Sequence, residues 1–301
     1  MTPGRLDRGQ DGSTPGLLGR RGRRGTLPLA ILLATSACGA SQSVGGGPAS
    51  PTFRWPKEAR WTVATSVQQI HFVDKEEKSR TESTLEHDLQ VSRDGKLLRL
   101  SLGPIRTQGL RPSDQKALEA TGDAIGRIEV DLEGRYVRGP SDAAKLDSIA
   151  AGMKFAQEDL DAALRSWWRG AVEDWLDRRL PKGSVQRLAS PRGETTLRFN
   201  GRERCFDADD APVCVILERR QRYRDEFGPE GLAATKVLAE RGITMEPVES
   251  VIEHTIVAEE STLLPHRERR SVDITFKLPE RDGDRRHRVV IQSEATYSRP
   301  R

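Results

Sequence analysis

Five histidines, three cysteines and many carboxylates are the residues of this chain equipped for chemistry, and their spacing assigns little of it. The histidines, His71, His87, His254, His266 and His287, are scattered. None stands in the His-Glu-x-x-His pair that holds a catalytic zinc on one helix face. No Gly-x-Ser-x-Gly elbow, phosphate-cradling glycine loop or dinucleotide fingerprint occurs either. The acids are spread as on any charged surface, so no general acid and base can be singled out. Nothing here recommends an enzyme or a cofactor, although a site assembled only in three dimensions stays open. For His87 and His254, on alternating strand-like runs, a partnered structural role is the commoner outcome.

Cys205 and Cys214 form the most specific pattern. They flank a polar loop that ends in Pro212, and strand-like runs lie on either side. Two cysteines so placed can face each other across a hairpin, and in an oxidising compartment they read as a disulfide. A redox-active pair is the alternative, but the spacing is not Cys-x-x-Cys. Asp207, Asp209 and Asp210 within the loop offer side-chain oxygens of the kind that bind Ca²⁺. The twelve-residue EF-hand order and its closing glutamate are missing.

The third cysteine decides location. Arg20, Arg21, Arg23 and Arg24 precede an apolar run from Leu27 to Ala34, and Thr35-Ser36-Ala37 lead into Cys38. A basic stretch, a short apolar core and a small-residue site make a secretory signal. The core is far shorter than the roughly 20 apolar residues of a membrane-spanning helix. Small residues running into a cysteine resemble the lipobox of bacterial lipoproteins. That resemblance implies a diacylglyceryl group on Cys38, cleavage before it and a membrane anchor. Gly39 is not the aspartate of an inner-membrane retention signal, so the family rule points to the outer membrane facing the periplasm. An ordinary cleaved signal with an incidental Cys38 is the alternative. The expected organisation is a signal over 1–37, a flexible Gly/Ser/Pro tether over 38–51 and one domain over 52–301.

Charge supports this division. The chain holds 49 Lys+Arg and 45 Asp+Glu, and residues 1–37 hold six arginines and two acids, so the remainder carries 43 of each. A neutral, interspersed surface gives no reason to expect nucleic acid as a partner. The Arg-rich patches at 267–270 and 285–288 read as solvated strand ends and a turn.

The elements that must position these residues are mostly strands. Leu85, His87, Leu89 and Val91 alternate with polar residues, Asp94-Gly95 turns the chain, and Leu98, Leu100 and Leu102 follow on one face. Ile128, Val130 and Leu132 repeat the pattern before Glu133-Gly134. So do Thr195, Leu197 and Phe199, then Val272, Ile274, Phe276 and Leu278. After Asp282-Gly283 come Val289, Ile291, Ser293, Ala295 and Tyr297. Period-two alternation broken by short glycine turns predicts antiparallel strands with one buried and one wetted face. Residues 61–74 are also extended, with a phase switch near Ile70 that fits a bulge or a register error.

A helical block interrupts the strands. Ser141 is placed to cap a helix over 142–151, and a second run extends from Gly152 to Leu180, where Pro181 and Gly183 stop it. Leu160, Leu164, Trp167, Ala171 and Trp175 fall at helical spacing, with Trp168, Val172 and Leu176 widening the stripe. Such a stripe either packs on a sheet or lines a ligand cavity through Leu160, Leu164, Trp167, Trp168 and Trp175. A short helix is expected over 231–241. The fold class is therefore α+β, a curved, mostly antiparallel sheet packed on a central helical segment.

This element order, together with the phrase Val130-Asp-Leu-Glu-Gly-Arg-Tyr-Val137, resembles uncharacterised bacterial lipoproteins and the LolA/LolB-like lipoprotein-carrier half-barrels. In the latter a curved sheet wraps helices and shelters acyl chains. The resemblance implies a non-enzymatic envelope lipoprotein that binds a lipid, another apolar ligand or a partner protein in the concavity of the sheet. A periplasmic enzyme and a purely structural envelope component are the alternatives.

Overall fold

A computed structural model describes residues 47–110, 112, 115, 127–139, 157–188, 193–206, 211–228, 235, 244–280 and 283–299. Among these, twelve strands form a single antiparallel sheet: β1 Glu58–Val73, β2 Glu76–Asp94, β3 Leu97–Leu102, β4 Arg106–Gln108, β5 Arg127–Asp131, β6 Tyr136–Arg138, β7 Val185–Leu188, β8 Glu194–Arg204, β9 Val213–Arg224, β10 Glu246–Glu259, β11 Pro265–Glu280 and β12 Gly283–Ser298. One helix, α1 (Gln157–Ala171), and a 3₁₀ turn over Glu173–Trp175 accompany it. The strand order is β6-β5-β3-β2-β1-β12-β11-β10-β9-β8-β7, with β4 beside β2. The sheet is open, with β6 and β7 at its edges.

The expected antiparallel sheet is present, but the α+β class needs correcting to mostly β. The long strands run well past their apolar stretches because alternation continues through charged residues, so β2 reaches 19 residues and β1 and β11 reach 16 each. Asp74 and Lys75, both at positive φ, make the two-residue loop between β1 and β2. This is the geometry whose twist suits a tight hairpin. The phase switch near Ile70 is a bulge: the β1–β2 register shifts between His71 and Phe72.

The sheet curls, and two adjacent residues demonstrate it. Glu173 Oε1 accepts the Tyr136 backbone N–H of β6 at 2.5 Å. Asp174 Oδ2 accepts Arg219 Nε of β9 at 2.7 Å. In a flat sheet β6 and β9, eight places apart in the strand order, would lie roughly 38 Å from each other at about 4.8 Å per strand. Neighbouring residues can bond to both only if the sheet bends round α1.

The core forms inside that bend. Trp168 and Trp175 are fully buried among Trp61, Leu98, Val130, Phe199 and Leu217, which come from five strands. Trp168 Nε1 donates to the Gly134 carbonyl at 2.8 Å. Gly134 sits at φ +86, and a Cβ there would come within 2.6 Å of the Phe53 ring, so the turn into β6 requires glycine. The helix ends at Ala171, short of the expected Leu180. Trp175 folds back so that its Nε1 takes the Gly170 carbonyl at 2.8 Å, one of the acceptors a helix end leaves open.

Part of the expected tether is folded onto the domain. Ala49 is wholly buried and exchanges two 2.8 Å backbone hydrogen bonds with Leu180. Arg202 donates to the carbonyls of Gly47 and Pro48 at 2.6 and 2.8 Å. A residue as small as alanine fits under the chain there, so 47–51 is docked and not free coil. Cys38, the helix expected over 142–151 and almost all of that over 231–241 lie outside the described residues.

Candidate functional site

Direct cross-strand pairs place residues of neighbouring strands on one face of the sheet. Reading the inner face across β8, β9, β10, β11, β12 and β1 gives three rows. The row nearest α1 is Phe199, Leu217, Ile256, Glu268, Ala295 and Thr65. The middle row is Leu197, Arg219, His254, Arg270, Ser293 and Val67. The third is Thr195, Gln221, Ile252, Val272, Ile291 and Gln69. A charged belt therefore crosses the inside of the sheet, and every one of Arg219, His254, Glu268 and Arg270 is at most 5% exposed.

The belt balances its charge. Arg219 pairs with Asp174 and also donates to Gln221 Oε1 at 2.6 Å. His254 Nε2 lies 3.3 Å from Glu268 Oε2, and the Tyr297 hydroxyl donates to Glu268 Oε1 at 2.8 Å. Burial lowers the His254 pKa, helped by the positive charges of Arg270 and Arg219 and opposed by Glu268. Burial alone would raise the Glu268 pKa, but the bonds from His254 and Tyr297 and the charge of Arg270 hold it below its ordinary value. The belt thus holds two guanidiniums, two carboxylates and a neutral imidazole, with Tyr297 keeping its proton. Ser293 lies two strands from His254, roughly 10 Å away, which is too far for the imidazole to take its proton.

The arginine patch at 267–270 was expected to be solvated. The structure corrects this: Arg270 and Glu268 face inward and are buried, because the β11 alternation carries through them. The patch at 285–288 is exposed as expected except for His287, which is buried and turns inward to stack on Phe276, with ring centroids 5.5 Å apart. His71 Nε2 lies 3.1 Å from His287 Nδ1. His87 is half-buried, and loss of hydration lowers its pKa to about 4.

Of the aromatic stripe, Leu164, Trp168 and Trp175 are buried in the core and Trp167 is half-buried against it. Leu160 belongs to α1, and its side chain lies outside the described residues. Inside the sheet, beyond the belt, a second apolar cluster gathers Val67, Leu85, Tyr223, Ile252, Val272 and Ile291.

The expected disulfide is present between Cys205 and Cys214, whose Cα atoms are 5.0 Å apart. Their sulfurs and a ring nitrogen of His266 all lie within 4.8 Å of one another. His266 Nε2 is 3.0 Å from Glu259 Oε1. Asp207, Asp209 and Asp210 lie outside the described residues. His266 carried no motif, since its neighbours come from three other segments of the chain.

The opposite, wetted face carries two clefts. A cleft of about 590 Å³ lies over Ser66, Gln68, Thr84, Arg269, Gln292 and Glu294. Another of about 460 Å³ adjoins it, with Ala64, Glu86, Arg106 and Thr296 in its wall. Both are in the size range of small-molecule sites, and Ser, Thr, Gln, Glu and Arg side chains share their walls with apolar surface.

No family model matches the chain, and no curated protein matches it. Among solved structures, a lipovitellin described for its lipid–protein interactions is similar at 11% identity with a TM-score of 0.42, over 82% of this chain and 26% of that one. This chain thus spans about a quarter of the lipovitellin chain. An acyl-CoA thioesterase II from Mycobacterium marinum is similar at 8% identity and a TM-score of 0.11, over 81% of this chain and 82% of that one. Likenesses of this size assign neither fold family nor function.

Proposed function

We propose that this chain is a lipid-anchored, non-enzymatic binding protein of the bacterial cell envelope. Its anchor is Cys38, and its curled sheet accepts a lipid or comparable apolar ligand against its inner face beyond the charged belt. The observation that supports this reading is the second apolar cluster. Val67, Ile252, Val272 and Ile291, each at most 4% exposed, continue the inner face beyond the charged belt, away from the tryptophans that pack on α1, so a ligand reaches them by displacing what covers them. Apolar lining with a few placed polar groups at one end is what an amphiphile needs.

The test is native mass spectrometry of the chain exported to a bacterial periplasm with Cys38→Ser, which removes the lipidation site. An adduct of lipid mass that leaves on denaturation is expected. A bare protein mass from several preparations overturns the apolar-ligand reading. The clefts of the opposite face, edged by Arg269, Glu294, Glu86 and Arg106, favour a second reading, a partner protein or polar ligand docked across β1, β2 and β12. Glu294→Lys and Arg269→Glu would then abolish capture of that partner while leaving lipid content unchanged.

A further inference from the structure

The disulfide corner brings together more than a disulfide needs. Cys205 follows the end of β8, Cys214 is the second residue of β9, Glu259 closes β10 and His266 lies at the start of β11, so four strand ends converge on one rim of the sheet. Cys214 and Glu259 are direct cross-strand partners. The Cys205 backbone N–H donates to the Pro212 carbonyl at 3.0 Å, which holds the hairpin mouth together without help from the sulfurs. Beside them Phe206 is half exposed, its ring 5.7 Å from that of His266.

We infer that reduction of Cys205–Cys214 converts this corner into a site for a thiophilic divalent cation, zinc above all, with Cys205, Cys214 and His266 as its three protein ligands. The sulfurs and the imidazole nitrogen are already within 4.8 Å of one another. Ligands at about 2.3 Å (sulfur) and 2.0 Å (nitrogen) around a tetrahedral Zn²⁺ stand roughly 3.5–4 Å apart. The thiolates need to separate only by that much once the bond between them is gone. Glu259 supplies the outer partner such sites use: its carboxylate holds one imidazole nitrogen, leaving the other for the metal. Charge also fits a largely buried place, since two thiolates neutralise the ion. The fourth position falls to solvent or a ligand.

The chemistry balances with a dithiol as reductant. The dithiol gives two electrons and two protons to the Cys205–Cys214 bond, and becomes a disulfide itself while two protein thiols form. Zn²⁺ then displaces both thiol protons, which go to solvent, and the site gains two metal–sulfur bonds.

The test uses the full chain carrying Cys38→Ser, so that only the two corner cysteines remain. Protein reduced with dithiothreitol and freed of it under nitrogen is titrated with Co²⁺ alone, then with Zn²⁺. One equivalent of cobalt is expected to bind with thiolate-to-cobalt charge transfer and tetrahedral visible bands, and zinc to displace it. The oxidised chain should show neither band. His266→Ala should weaken binding at least tenfold, and Glu259→Gln should weaken it less. Cys205→Ser, which opens the disulfide without reductant, reports by far-ultraviolet circular dichroism whether the sheet survives its loss. The inference is overturned if reduced protein with an intact sheet binds no more cobalt than the Cys205→Ser/Cys214→Ser variant. It is equally overturned if His266→Ala binds as tightly as its parent, or if Cys205→Ser has lost the sheet.

Discussion

Arg219 and Asp174 meet at 2.7 Å inside the protein, both nearly excluded from water, although one belongs to a sheet strand and the other to the turn that ends α1. Arg169 bonds the other carboxylate oxygen of Asp174 at 3.1 Å. The carboxylate therefore joins the helical segment to the sheet from two sides.

Asp174→Ala leaves the Arg219 guanidinium buried and without its carboxylate. Breaking one partner of a buried pair costs about 3–5 kcal/mol. Urea unfolding should show a midpoint lowered to match, and Asp174→Leu/Arg219→Met should recover much of the loss. An unchanged midpoint for Asp174→Ala would mean the pair does not hold the curl.

Stability should fall with acid in two stages. His254 and His87 both have pKa values below the ordinary 6.5. The unfolded chain therefore binds more protons than the folded one as pH drops through 6.5, and folding loses stability there. For His87 that loss is complete near pH 4, where the folded group also titrates. Glu268, lowered from 4.5, adds a further loss below about that pH. Melting temperature measured from pH 8 to pH 4 should decline, and His254→Gln should flatten the slope just below pH 6.5. A melting temperature that rises on acidification would contradict the neutral assignment of His254.

Trp168→Ala should cost about 3–5 kcal/mol, the range for emptying a large core site. Trp168→Phe should cost roughly 1–3 kcal/mol less than that yet still destabilise, because the Gly134 carbonyl loses its donor. Trp167→Ala, at a half-buried position, should stay near 1 kcal/mol. Thermal melts of the three variants separate them, and equal effects at 167 and 168 would refute the placement of the core.

Removing the disulfide should have a moderate effect. The loop it closes spans a sequence separation of nine, for which chain entropy gives about 2.7 kcal/mol. Cys205→Ala/Cys214→Ala should therefore lower stability without abolishing the sheet. Loss of all strand signal would show that the hairpin mouth depends on the bond.

How much of this was legible follows from the range of each signal. Leu98, Leu100, Ile128 and Val130 alternate locally, so their strands and inner faces could be read from the chain alone. The cysteine pair was equally local. Arg219, His254 and Arg270 occupy the same period as the apolar residues around them, but what makes them tolerable inside is distant. Asp174 lies 45 residues from Arg219, and Tyr297 lies 29 from Glu268. Periodicity marks a face and cannot supply a partner, so the patch at 267–270 read as solvated. The helix boundary failed for a similar reason: the tryptophan spacing continues past Ala171, while the chain turns so that Asp174 can reach Arg219. Ala49 gave no sign either, since its burial depends on Leu180 and Arg202.

The docking of residues 47–51 has a mechanical meaning. A pull on the chain ahead of Gly47 does not reach the end of β1 directly. It meets first the Arg202 guanidinium on the Gly47 and Pro48 carbonyls, then the paired Ala49 and Leu180 backbones. Thr52 and Arg54 add backbone bonds to Glu260 and Thr262 beyond that. Load is thus passed to Arg202 on β8, to the turn after β10 and to the segment behind α1 before it reaches β1. Residues 47–56 act as strain relief, like the clamp that keeps a cord from tugging on its solder joint.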